Sequence, residues 1–318
     1  MKSCNKINSV NRVLAMGVFL CAIIFSSTIL FGASDQQRFN SADDAVSALV
    51  NAAKGKDTNS LHSIFGSDGE KLISPDVVQA ADELETFVKR VAEKVEIVPQ
   101  SDSRAVLQLG SDGWPFPIPL VKEKDHWFFD TKEGAQEILN RRIGRNELQT
   151  IEVCRAYLDA QREYASRDHD GDDVLEYAQK LRSSEGKQDG LYWSFRENNE
   201  QSPLGPLISE SRAEGYRGST KILTEEPTPY HGYYFKILTK QGKHAAGGKY
   251  DYVINGNMIG GFALVAWPAE WGNSGVMTFI VNQQGKVWQK NLGSKTSTIA
   301  ARMSNYDPDS TWQPVQDD

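Results

Sequence analysis

Cysteine is scarce in this chain. The three cysteines among 318 residues, Cys4, Cys21 and Cys154, exclude a disulfide-built scaffold. Histidine is scarce as well. His62, His126, His169, His231 and His244 are scattered with no HExxH or paired spacing, so a catalytic zinc has no support in the sequence. Nucleophile elbows of the GxSxG type, phosphate loops of the GxxxxGK[ST] type and GxGxxG fingerprints are all lacking, as are repeats and low-complexity tracts. Positive charge is in deficit, with 35 Lys and Arg against 42 Asp and Glu. A net charge of −7 argues against a general nucleic-acid binder, which needs a positive field to attract phosphates. What is present is material for folded cores: 39 % of residues are hydrophobic and 24 % charged, which excludes a wholly disordered chain. The length suits about two domains of roughly 100–200 residues each.

The first 34 residues read as an export signal. Lys2, Lys6 and Arg12 precede an apolar run from Val13 to Gly32, no acid occurs before Asp35, and the small residues Gly32 and Ser34 sit at −3 and −1 of a cleavage point before Asp35. The run is also long enough to span a bilayer, so a retained anchor is the alternative to cleavage. Either way the remaining chain is expected to be periplasmic or otherwise extracytoplasmic, touching the membrane only through the N-terminal segment if that is retained. Removal of residues 1–34 takes away three basic residues and no acid, leaving 32 basic against 42 acidic residues and a charge of −10. Cys154 then remains alone in the apolar stripe of a helix, where a buried, inert thiol is expected.

Beyond the signal the pattern is α+β. Ser41 and Asp44 open a helix with Ala45, Val46, Leu49 and Ala53 at helical spacing, ended by Gly55. A short helical turn around Leu61, Ile64 and Phe65 stops at Gly66, and a longer helix opens at Pro75 with Val77, Val78, Leu84, Phe87 and Val91 on one face. Ala105, Leu107 and Leu109 then alternate as a strand. Pro115, Pro117 and Pro119 confine the next segment to an edge or extended rim, and His126–Asp130 forms a further strand. Residues 131–167 read as a long helix with a break near Gly144, and 168–230 as a loop-rich crossover whose aromatics wrap a body. Strands at 233–238, 250–254, 262–267, 276–281 and 287–290 follow, with a short helix near 297–304. The domain plan is a signal at 1–34, an N-terminal α+β domain at 35–146, and a linking helix with a C-terminal antiparallel β-rich domain at 147–318.

Several long strings carry a family resemblance. WPFPIPLV at 114–121, RRIGRNELQTIEVCRAYLDAQREYASRD at 141–168, GLYW at 190–193, SPLGPL at 202–207, PYHGYYFKILTKQG at 229–242 and the stretch from Tyr250 to Gly293 resemble the bacterial family known as domain of unknown function 2950. The resemblance implies an exported bacterial protein of unknown activity and supplies no catalytic residues. In element order alone, helices followed by an antiparallel meander resemble the nuclear-transport-factor-2-like superfamily. Residues 147–290 are similar in plan to the globular part of type IV pilin-like proteins, without a pilin's apolar N-terminal half-helix.

Chemistry is sparse. Asp168, Asp170 and Asp172 alternate as in a calcium loop, with the Val174 carbonyl and Glu176 at the following ligand positions. Asp173 stands where such loops have glycine and Gln179 where they have a bidentate glutamate, so the readings are a weak Ca²⁺ site or a solvated acidic turn. Glu270, beside Trp267 and Trp271, and His231 are the catalytic candidates, each set against a structural role. Trp114, Trp127, Trp193, Trp267, Trp271 and Trp288 line either a groove for a peptide or glycan, or the cores. The sequence favours a non-catalytic binding or structural module of the envelope, its partner an envelope protein or glycan. The alternative is an envelope hydrolase acting on glycan or peptide through carboxylates around Glu270 or residues 168–176.

Overall fold

In the computed structural model the described residues are 36–194, 200–214, 216 and 229–316. The segment at 1–34, read above as an export signal, lies outside them. Helix α1 (Ala42–Gly55) starts where the Ser41 hydroxyl accepts the Asp44 N–H, and ends on Lys56 in left-handed conformation. Asp57 caps α2 (Thr58–Phe65), and a 3-10 segment, Ser67–Leu72, leads to α3 (Val77–Glu93). The cap of α3 is Asp76, one residue past Pro75. Its inward face departs from the apolar stripe read from sequence: Val77 and Leu84 are exposed, while Gln79 and Val91 are buried.

The N-terminal sheet is antiparallel, built from β1 (Val95–Ser101), β2 (Arg104–Leu109), β3 (Trp114–Pro115), β4 (Leu120–Glu123) and β5 (His126–Phe129). Its order is β1-β2-β4-β5, with β3 also on β2. The proline-rich segment behaves in two ways. Residues 114 and 115 pair with β2, the ladder lapses over 116–119, and the chain resumes at Leu120 between β2 and β5. Pro117 and Pro119 thus sit where no ladder N–H is required, and the strand is central rather than an edge beyond them.

Asp130 caps α4 (Thr131–Tyr164), 34 residues long, by accepting the Glu133 N–H. The break expected near Gly144 does not occur; the helix is continuous, and Gly144 is surrounded by open space. One exposed glycine costs a helix only about 1 kcal/mol, which the long flanking segments outweigh. At Gly134 the missing side chain is needed, because a Cβ there would lie 2.9 Å from the Ile118 Cα. This lets the first turn of α4 press onto the gap in the ladder.

Past α4 the described residues up to 204 are irregular and bring Ala178, Leu191, Tyr192, Trp193 and Leu204 into a core, as the buried-type aromatics of that crossover suggest. Among the described residues of the crossover is a helix not read from sequence, α5 (Gly205–Ala213), whose Gly205-Pro206 start resembles a loop although proline is tolerated in a first turn. The C-terminal part adds β6 (Tyr233–Leu238), β7 (Lys240–Gln241), β8 (Tyr250–Asp251), the two-strand pair β9 (Val253–Ile254) and β10 (Asn257–Met258), β11 (Ala263–Pro268), β12 (Met277–Asn282), β13 (Trp288–Asn291), α6 (Thr296–Arg302), β14 (Asn305–Tyr306) and β15 (Gln313–Pro314). The main sheet runs β15-β13-β12-β11-β6, all antiparallel; β14, β7 and β8 form a small second sheet. Every residue of β11 is buried, with α4 packed on β11 and β12 and α6 on β11.

Residues 35–318 form one compact unit. Within it the buried apolar side chains fall into two clusters, one drawn from Phe39 to Phe129 and the other from Ile151 to Trp312. The fold is therefore mixed α+β: N-terminal helices and strands, a long helix, then a C-terminal antiparallel sheet. Among the described residues, no helix is long and apolar enough to cross a membrane.

Candidate functional site

Between the two clusters α4 changes character. Arg142, Asn146 and Thr150 recur every four residues, so they share one helical face, and all three are buried. Asn146 Nδ2 donates to the Ser274 carbonyl at 2.9 Å, and its Oδ1 accepts from Gln79 Nε2 at 2.8 Å. The Ser74 hydroxyl donates to Gln79 Oε1 at 3.2 Å. At the next residue, Glu147 Oε1 accepts the N–H groups of Val276 and Met277, both at 2.9 Å. This belt fixes three pieces of chain to α4: the approach to α3, α3 itself, and the turn before β12.

Arg142 is the unusual member. It is 2 % exposed, yet its guanidinium is hydrogen-bonded to no carboxylate among the described residues: one NH group donates to Asn273 Oδ1 at 3.0 Å and another to the Leu72 carbonyl at 3.1 Å. Its Nε is buried without a hydrogen-bond partner among the described residues. Burial pushes its pKa below the usual arginine range, against a smaller opposing pull from Glu83. Beside it lies a cleft of about 490 Å³, lined on one side by Lys132, Ala135, Gln136 and Leu139 of α4 and on the other by Glu70, Lys71, Ile73 and Pro75, with Gly272 and Asn273 adjoining.

The catalytic candidates occupy neighbouring turns with different surroundings. Glu270 closes its own turn: its carboxylate accepts from Asn273 Nδ2 at 2.8 Å, while the Ser274 hydroxyl accepts the Glu270 N–H at 3.0 Å. Trp271 is half-exposed and donates to Asn291 Oδ1 at 2.9 Å. His231 lies instead among Tyr216, Tyr230 and Glu214. Its backbone is left-handed at φ 47°, and its ring centroid is 4.1 Å from that of Tyr230. Nε2 stands 3.3 Å from Glu214 Oε2, a distance that would favour imidazolium, but burial dominates and the imidazole is pushed down to about 4. Burial raises the Glu214 carboxyl in turn, despite the Tyr230 hydroxyl donating to it at 3.2 Å, so both partners favour their neutral forms. The Tyr216 hydroxyl donates to Asp76 Oδ2 at 2.8 Å, which ties this cluster to the cap of α3.

Asp168, Asp170 and Asp172 do come together, with carboxylate oxygens within 4.8 Å of one another and all three exposed. Asp168 accepts three backbone N–H groups, from Asp170, Gly171 and Asp173, which lowers its pKa. Burial, seconded by the Asp172 and Asp168 carboxylates, raises Asp170. Asp172 accepts from the Val174 N–H and from Asn257 Nδ2, both at 2.8 Å. Glu176 is engaged elsewhere, accepting the Met258 N–H at 2.8 Å. The donor set for a hard cation is therefore three carboxylates, each of the outer two already shared with the turn.

The tryptophans divide between the cores. Trp114 and Trp127 pack on the first cluster, Trp193 and Trp267 belong to the second, and Trp288 packs against it; only Trp271 is exposed beside the cleft. Cys154 is buried and its thiol is pushed up to about 12 by burial. Arg142, Asn146, Gln79, Glu214 and the cleft itself were missed by sequence reasoning. The one signal available was the four-residue spacing of Arg142, Asn146 and Thr150 in a segment read for its apolar residues.

Helices, an antiparallel meander, one long helix and a second antiparallel sheet, with a polar cleft beside the long helix, define a mixed α+β protein. The chain belongs to the family described as "Protein of unknown function (DUF2950)", whose sequence pattern matches residues 36–315. No curated protein and no solved structure matches it.

Proposed function

We propose that this chain is an exported protein of the bacterial cell envelope and acts as a non-catalytic binding module, with the cleft beside α4 as its binding surface. The N-terminal positive start, apolar run and small residues before Asp35 support export. The observation that carries the binding reading is the cleft of about 490 Å³, a size typical of small-ligand sites. Its walls are set by the hydrogen-bonded belt of Ser74, Gln79, Arg142 and Asn146, so binding would not have to order them first. The carboxylate of Glu270 serves its own turn, which favours binding over hydrolysis at that residue.

A single experiment in the native host tests both parts. Full-length protein carrying a photo-crosslinking residue at Gln136, in the cleft lining, is compared with one labelled at the exposed Glu185, which is not part of that lining. The expected outcome is protein recovered outside the cytoplasm that gives an adduct from position 136 and none from 185. Uncut protein in the cytosol, or folded protein giving no adduct from 136, would sink the proposal.

A further inference from the structure

We infer that the ligand of this cleft is a short peptide presenting a free carboxylate; this rests on the cleft being the binding surface. Arg142 supplies the first reason. A guanidinium removed from water, hydrogen-bonded only to an amide oxygen and a backbone carbonyl and balanced by no more than the weaker pull of Glu83, is an under-compensated charge, and a fold bears such a charge at a cost. An anion placed nearby offsets it, because the interaction is only weakly screened in a desolvated setting.

The placement of Arg142 brings that anion to the cleft. Lys132, Ala135, Gln136 and Leu139 line the cleft at spacings of three and four along α4, and Arg142 is the next residue of the same stripe. Both of its hydrogen-bond partners belong to the walls: Asn273 lines the cleft, and Leu72 lies between the lining residues Lys71 and Ile73. The guanidinium therefore stands behind the wall and contributes field rather than contact. Contacts fall to the ammonium groups of Lys132 and Lys71, the latter now paired with Asp68. Glu70 is the one acid in the lining. With Asp68 counted beside Lys71, two lysines meet two acids at the cleft, and the buried arginine behind it tips the local balance to positive on a chain with 42 acidic and 35 basic residues.

The apolar part of the lining selects the rest of the ligand. Ile73, Pro75, Ala135 and Leu139 present aliphatic surface, and Ile73 is 63 % exposed. Aliphatic walls suit alkyl side chains. A sugar ring would be better served by an aromatic platform, but no aromatic residue is in the lining, and the indole N–H of nearby Trp271 is bound to Asn291.

The test uses residues 35–318 and two probes, N-acetyl-Ala-Ala with a free C-terminal carboxylate and the same dipeptide as its C-terminal amide, followed by intrinsic tryptophan fluorescence and calorimetry. The acid is expected to bind at least tenfold more tightly than the amide at low salt, with the advantage shrinking at 0.5 M NaCl. The Lys71→Gln/Lys132→Gln double variant, altered only at exposed side chains, is expected to lose the tenfold preference while melting like the parent; Lys243→Gln serves as a remote control. Equal affinity for acid and amide would overturn the carboxylate assignment and leave the cleft as a binding surface. Glucuronate binding more tightly than the dipeptide acid would overturn the peptide. No response to either dipeptide, from protein that still crosslinks through position 136, would overturn the ligand class alone, whereas loss of that crosslink removes the underlying function.

Discussion

His231 combines a left-handed backbone with a buried, neutral imidazole, and both are unfavourable for a histidine in isolation. The surrounding groups decide how it titrates. Glu214 and Asp76 favour the charged ring, Arg145 opposes it, and Tyr216 and Tyr230 enclose it. Burial outweighs the acids, so the folded state holds the ring near 4 while the unfolded chain titrates near 6.5. The unfolded state then binds the extra proton first as pH falls, and stability drops between those two values and levels below them. The full effect of such a separation is up to about 3 kcal/mol. Glu214 works in the other direction: its raised carboxyl takes a proton in the folded state first, which stabilises the fold as pH falls and trims the loss. Denaturant titrations at pH 7 and pH 4, on the parent and on His231→Asn, isolate the ring, since asparagine tolerates left-handed backbone. The parent should lose more stability than the variant over that interval; parallel losses would show that the imidazole does not carry the dependence.

At the scale of elements, the acidic turn at 168–176 shows how a motif can be legible and its use not. The alternating acids do converge, as the spacing of Asp168, Asp170 and Asp172 indicates. The sequence does not show that Asp168 is occupied by three N–H groups or that Glu176 caps the Met258 amide, because both depend on where the chain turns next. An ion must compete with these bonds, and with Gly171 and Asp173 already in left-handed backbone the turn is shaped without one. Calorimetric titration with Ca²⁺ is therefore expected to give a dissociation constant no tighter than about 10⁻³ M, the weak end for extracellular modules. A micromolar constant would refute this account. Elsewhere the legible features were local ones: the Ser41 cap, the stop at Gly66 and the apolar run of β11 were all readable because each is decided within a few residues. What escaped was tertiary in origin. Strand β1 combines Val95, Ile97 and Val98 with Pro99 and a polar end, and forms because β2 offers it a partner. Leu148 fits an apolar stripe yet is 63 % exposed, since the face of α4 turned inward at that level is the polar one of Asn146 and Thr150.

At the scale of the whole molecule, two apolar clusters share one continuous helix and a buried polar belt, and this predicts how the protein unfolds. If α4 and the belt transmit order, loss of the first cluster must remove the second. Breaking Asn146 leaves the Gln79 amide and the Ser274 carbonyl without their partner in a dry setting, at a cost of about 1–3 kcal/mol for each unsatisfied group. Leu49 is fully buried in the first cluster and remote from the belt; Leu49→Ala should destabilise by roughly 2–5 kcal/mol. Hydrogen exchange at the amides of β11 and β12, deep in the second cluster, reads the consequence. Leu49→Ala should speed exchange there as much as it does in β2, because those amides exchange only through global opening. Adding Asn146→Leu should break this equality, leaving β11 and β12 better protected than β2. If Leu49→Ala alone accelerates β2 and leaves β11 and β12 at parent rates, the two clusters unfold separately, and the belt positions the cleft without joining the cores.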